Sequence, residues 1–308
     1  MRIKNIFHSR EMILLYHRIA RSESDPWSLC VTPEHFAEHV DVLRKYSTIR
    51  LTDIQSAGRM FGRSGYSVAI TFDDGYADNF YQAAPLLDRY GMPATFFIVT
   101  GYVETDREFW WDELEKIVFQ TTVPPTNIEF NVLGSTYSFD VGSMSSPLAL
   151  YLSLYDFLQP LSHELRLGLM DQLLERSKQS ISVRPPYQVM TRDEIRQLAG
   201  NPLFAIGAHT VTHPRLSTQS IPVQKTEMLD SKKWLEELVG NPIISFSYPY
   251  GGKVHYTEET LQIVRATGFK YACTNDGRYV TKDNAPLELP RFNITDMDGE
   301  EFEKLLFY

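Results

Sequence analysis

Cysteine is almost missing from this chain: 308 residues hold only Cys30 and Cys273, far apart and in no CxxC pair. That excludes a disulfide framework and a thiolate metal site, so both are expected to be buried thiols. No stretch approaches the roughly 18 consecutive apolar residues of a transmembrane helix. The opening MRIKNIFHSREMILLYHRIA has basic residues but only a short apolar run, Met12 to Tyr16, broken by His17 and Arg18 and followed by no small-residue cleavage site. It does not read as a signal peptide, and the cytoplasm is the expected compartment. Blocks of like charge are also lacking, and the net charge of -9 is spread along the chain. Nucleic acid and anionic membrane surfaces are therefore poor partners. Internal repeats and low-complexity tracts do not occur.

What remains is a globular composition, 43% hydrophobic and 22% charged, with aromatics at 13% on the rich side. Short apolar runs of strand length alternate with amphipathic stretches, the pattern of βα units around a parallel sheet. Ile13 to Tyr16, Tyr66 to Phe72, Ala94 to Thr100, Phe204 to Ala208, Ile243 to Tyr248 and Tyr271 to Thr274 are the strand candidates. Thr32-Pro33-Glu34 starts a helix with Phe36, Val40 and Leu43 on one face. A second helix is expected from about Ala77 to Tyr90 with a kink at Pro85, and two more close at Gly240 and Gly268. Residues from about 104 to 187 break this rhythm. FWWDELEKIVF reads as an aromatic helix, followed by a Pro- and Ser-containing stretch and an irregular helical segment from Leu148 to Arg176. The expectation is one unit over 1–308, an α/β barrel interrupted by a helical insertion that shapes or covers a cleft.

Two short segments carry the chemistry. In ITFDDGYADN, Asp73 and Asp74 stand at the end of a strand, where α/β folds gather functional groups. Adjacent carboxylates repel, so each needs a compensating cation or proton. In GAHTVTHP, His209 and His213 follow another strand four residues apart, close enough for two imidazoles to share one cation. Two histidines and a carboxylate with open positions make a site for a divalent transition metal. His35 and His39 have the same spacing but lie beside the apolar stripe of an outer helix, away from strand ends, and are not expected to bind metal. His255, after YPYGGK, is a candidate to line the cleft.

With TFDDG (Thr71 to Gly75), HTVTHP (His209 to Pro214) and SYPYGG (Ser247 to Gly252) in this order, the chain resembles the polysaccharide deacetylase family, the group sharing a NodB-type domain. The resemblance covers roughly residues 12–19, 66–101 and 190–293. It implies a distorted (β/α) barrel of about seven strands and hydrolysis of an N-acetyl group on a sugar. It makes Asp73 the general base and Asp74, His209 and His213 the ligands of one divalent ion, zinc before cobalt, nickel or iron. The Tyr250 backbone N–H is implied as a donor to the oxyanion, with Thr210 or Thr212 shaping the site.

Two departures stand out. Ser247 occupies the position where many members carry an arginine that orients the base, and LELPRFN replaces a late Leu-x-x-His that supplies the acid. Arg291 is the available late cation to replace the first. For the second, ILLYHRI puts His17 directly after the first strand and resembles the Leu-x-Tyr-His segment of the poly-N-acetylglucosamine deacetylase branch. His17 is thus expected to protonate the leaving amine, with an acidic neighbour raising its pKa. The leading reading is removal of acetyl from an amino sugar in a glycan or glycan precursor. The runner-up is an amidase of the same fold acting on a linear or cyclic non-sugar amide, and the third a non-catalytic sugar-binding barrel. The sequence leaves the oligomeric state open.

Overall fold

The computed structural model describes residues 10–55, 66–120, 127–132 and 134–307. Its main sheet is all parallel and has eight strands: β1 (Arg10–Tyr16), β2 (Ser47–Ile49), β3 (Tyr66–Phe72), β4 (Ala94–Ile98), β5 (Phe204–Ala208), β6 (Ser245–Ser247), β7 (Tyr271–Cys273) and β8 (Phe292–Asn293). Seven of them run in the order β7-β6-β5-β4-β3-β1-β8, and β2 lies beside the first half of β3. A single bridge, Cys273 to Leu289, draws β7 toward the segment entering β8 and begins the closure. This is the distorted barrel expected, with about seven strands plus one short addition.

Period-two alternation decides which side chain goes where. Met12, Leu14 and Tyr16 of β1, with Val68, Ile70 and Phe72 of β3, join the large core under the helices. Ile13, Ala69, Phe97, Cys273 and Leu289 form a small separate cluster with Leu51, Ile54 and Val280. Gly207 makes room for it, because a Cβ there would collide with the Phe97 ring. Following the same alternation to the C-terminal strand ends, the buried positions become polar: Thr71, Asp73, His209 and Ser247. The fold thus gathers its polar groups at one rim.

The expected helix over 77–90 is a π-helical turn, Asn79–Ala83, followed by an α-helix, Ala84–Arg89. Pro85 has no N–H to give back to the preceding turn, and the register changes there. Between β4 and β5 come a helix (Trp110–Phe119), an antiparallel hairpin (Asn127–Val132 with Ser135–Asp140) and two helices (Pro147–Leu158, His163–Ser177). The stretch from Leu148 is therefore not irregular; Ser162 caps the second helix through the Leu165 N–H at 3.4 Å and divides it from the first. Ile128, Phe130 and Val132 alternate into a core shared with Trp110, Trp111 and Leu154. No helix among the described residues is long and apolar enough to cross a membrane. Cys30 and Cys273 are both buried and free.

His35 and His39 are used structurally. His35 Nδ1 lies 2.8 Å from Asp296 Oδ1, and the buried His39 bonds the Tyr16 hydroxyl (3.2 Å) and the Met297 carbonyl (2.8 Å) while stacking on Phe302. Burial lowers the His39 pKa to about 4 despite the Met297 bond. The unfolded chain takes up this proton near its ordinary value, so stability is present above that value and lost as pH falls through 4. The loss is roughly 3 kcal/mol. Urea unfolding from pH 7 to 4 should show a shallower decline for His39→Asn than for the parent; equal slopes contradict the assignment.

Candidate active site

Asp73 and Asp74 leave the end of β3, with Asp74 in the left-handed region (φ 72). Thr210 (φ 68), His213 (φ 53) and Tyr250 (φ 64) share that uncommon conformation. Three of these four line one cavity and Thr210 lies in the loop between its two histidines, a concentration of backbone strain that the surrounding bonds must maintain.

Those bonds are visible. The buried Glu227 accepts from the N–H groups of Val211 and Thr212, both at 2.8 Å, and from the Thr212 hydroxyl at 2.6 Å. Thr210 Oγ1 accepts from the His213 N–H at 3.0 Å. Gly101 N–H reaches the Val211 carbonyl at 2.8 Å, an approach a Cβ at Gly101 would block. Arg166, from the segment between β4 and β5, donates to the Thr212 carbonyl at 3.3 Å. Thr212 therefore serves the loop through Glu227, and Thr210 through its hydroxyl. Neither Glu227 nor Arg166 belongs to a recognisable sequence pattern.

The loop so pinned aims both imidazoles at Asp74. His209 Nδ1 bonds the Ser247 carbonyl at 2.7 Å, which leaves Nε2 facing inward, 3.5 Å from Asp74 Oδ1. His213 Nε2 is 3.6 Å from the same oxygen, and its ring lies against Trp111 and Tyr250, with centroids 4.8 and 4.6 Å away. The three ligand atoms lie within 4.8 Å of one another, and among the described residues this is the one such cluster of His, Cys, Asp or Glu. Ligands about 2.0–2.1 Å from a tetrahedral ion stand about 3.3 Å apart, so the set has the spacing and donor chemistry of a divalent-cation site. Burial and then the neighbouring His209 lower the His213 pKa to about 3, keeping it the neutral imidazole that a cation needs.

Asp73 faces another partner. Arg291, 1% exposed, grips it bidentately: Nη1 to Oδ1 at 2.8 Å and Nη2 to Oδ2 at 2.7 Å. The Ser247 hydroxyl donates to Oδ2 at 2.8 Å and accepts from Arg291 Nη2 at 2.8 Å. Arg291 is itself fixed by the Thr71 hydroxyl and the Thr274 carbonyl, each at 3.1 Å. Burial by itself would raise the Asp73 pKa; Arg291 overrides it and holds the carboxyl well below its usual range. Arg291→Met leaves a buried carboxylate without its cation and should cost about 3–5 kcal/mol of stability. A melting temperature unchanged from the parent would contradict that.

His17, just past β1, lines the same cavity of about 490 Å³ as Asp73, Asp74, His209, His213 and Tyr250. Asn79 Nδ2 holds its carbonyl at 2.9 Å, and its buried Nδ1 has no hydrogen-bond partner among the described residues. Its pKa is lowered, not raised as expected: burial outweighs the pull of Asp74 and Asp73. The imidazolium is then the minor form near neutrality and a stronger acid when it forms. His255 lines the cavity as well.

A family model described as polysaccharide deacetylase matches residues 62–121 and 138–272. The chain is 23% identical over 295 residues to the putative polysaccharide deacetylase YxkH of Bacillus subtilis (strain 168), spanning 94% of this chain and 74% of that protein. Among solved structures it is similar to the Streptococcus pyogenes deacetylase PplD in complex with acetate, with 20% identity, TM-score 0.62 and coverage of 97% of this chain and 99% of that one. It is also similar to a de-N-acetylase from Aggregatibacter actinomycetemcomitans, with 14% identity, TM-score 0.58 and coverage of 94% and 96%. At such identities these structures are likenesses of fold.

Proposed function

The chain belongs to the polysaccharide deacetylase family, hydrolases of carbon–nitrogen bonds other than peptide bonds, and from this premise we propose that it removes N-acetyl groups from an amino sugar of a glycan or glycan precursor, with one divalent ion, zinc first, on Asp74, His209 and His213. The observation that carries the reading is the meeting, in one cavity, of these three ligand atoms with a carboxylate gripped by Arg291.

An amide carbonyl is a poor electrophile. Held by Asp74, His209 and His213, a divalent ion would supply Lewis acidity toward that carbonyl and toward water. The protein's groups do the rest. Asp73, kept ionised and oriented by Arg291 and Ser247, takes the proton of the attacking water. The Tyr250 N–H donates to the oxygen that gains charge. His17, as imidazolium, gives a proton to the nitrogen as its bond to the acetyl carbon breaks, so acetate leaves and the sugar keeps a free amine.

Acetate release from N-acetylated saccharides, run beside ring-opening of small cyclic imides, tests the reading. Release of acetate with imides untouched is expected, and His17→Ala should slow it about 10²-fold or more. Imide opening without acetate release overturns the sugar assignment. An unchanged His17→Ala rate removes His17 from the acid role.

A further inference from the structure

Trp27 keeps 38% of its surface exposed although it lines the same cavity as the ligand cluster. A large aromatic ring is thus left partly open on the wall of the cavity that holds the ligand cluster. The side chain is not loose. Its Nε1 donates to the Tyr151 hydroxyl at 3.1 Å, and its ring lies 4.4 Å from that of Tyr155. Both tyrosines sit on the helix Pro147–Leu158. The loop bearing it is tied down by Asp25, which accepts from the N–H groups of Leu29 and Cys30 at 2.8 Å each. The platform is therefore pre-organised, and ordering it on binding costs little.

Besides Asp73, Asp74 and Arg291, two charged side chains line this cavity, Arg215 and Asp156. Arg215 is committed: Nε to Ser217 Oγ (3.2 Å), Nη1 to Gln159 Oε1 (3.4 Å) and Nη2 to the Val254 carbonyl (3.2 Å). Asp156, one residue after Tyr155, is exposed, lines the cavity and makes no hydrogen bond or ion pair with the described residues. The mouth thus offers a fixed indole and an uncommitted carboxylate, while its arginine is occupied.

Resting on the deacetylase reading, we infer that the cleft holds at least two sugar residues, the ring adjoining the reacting one packing its C–H face on Trp27 with its nitrogen substituent toward Asp156. An N-acetyl group there offers Asp156 one N–H, whereas a free amine offers an ammonium and a charge-assisted bond. The site accordingly prefers a chain that already carries a free amine beside the acetylated sugar.

The test uses the Asp73→Asn protein, whose slowed turnover lets binding be measured, and calorimetry with N-acetylglucosamine, its β-1,4-linked tetramer and a tetramer bearing one free amine. Trp27→Ala added to it should weaken tetramer binding about tenfold, the scale of one aromatic contact, and weaken the monomer far less. Trp27→Phe should recover most of the loss. Asp156→Asn should erase the preference for the amine-bearing tetramer. Equal weakening of monomer and tetramer by Trp27→Ala, or a preference that survives Asp156→Asn, overturns the inference. Acetate release by the parent enzyme is followed separately, so a chain that binds tetramer as described but frees no acetate refutes the proposed reaction and leaves this subsite standing.

Discussion

Replacing both His209 and His213 by alanine is expected to abolish binding of the proposed divalent ion and to lower acetate release by about 10³-fold or more, since an ion held there would contribute several kcal/mol of charge stabilisation in the transition state. The reason is geometric. Asp74 Oδ1 is the only anionic member of the cluster, and one carboxylate cannot hold a transition ion against water without the two nitrogens 3.5 and 3.6 Å from it. Elemental analysis of the purified variant, with circular dichroism to confirm folding, decides the matter. One ion per chain retained by the double variant would place the metal elsewhere.

Asp73→Asn has the second largest effect and a different signature. The amide preserves the side-chain size and an acceptor for Arg291, but it cannot take a proton from water. Turnover should fall about 10² to 10⁴-fold while the ion stays bound. Because Arg291 then faces a neutral partner in a buried setting, the variant should also melt at a lower temperature than the parent, and rates must be compared well below both transitions. An unimpaired rate, or loss of the ion together with activity, would exchange the roles of the two adjacent aspartates.

Local rules suffice for the strand ends and the helix stops. A strand's alternation and a Gly-terminated helix involve neighbours in the chain, and the strand-end positions of Asp73, Asp74, His209 and His213 followed from them. His35 and His39 show the same logic in reverse, their spacing matched but their helix face pointing to Asp296 and Met297. Contacts between distant segments stayed hidden. Glu227 reaches the histidine loop from 15 residues away on a long helix, and Arg166 reaches it from another element altogether. Arg291 was visible only as an available cation, because its grip on Asp73 spans 218 residues and depends on barrel closure. The hairpin of Asn127–Val132 with Ser135–Asp140 is not legible in the sequence although NIEFNV alternates, since the surrounding polar residues mask a strand of six. The pKa of His17 ran opposite to expectation for a similar reason: burial depth is a property of the assembled cavity, which the neighbouring residues alone do not reveal.

A divalent ion on Asp74, His209 and His213 is proposed to drive removal of N-acetyl groups, and chelation with reconstitution is the sharpest check of that role. Acetate release from an N-acetylated sugar oligomer is followed for the protein as purified, after dialysis against a chelator, and after return of one equivalent of zinc. Release is expected, with its loss on chelation and its recovery with zinc, while the His209→Ala, His213→Ala protein recovers nothing. Release that persists undiminished in the chelated, metal-free protein would contradict it.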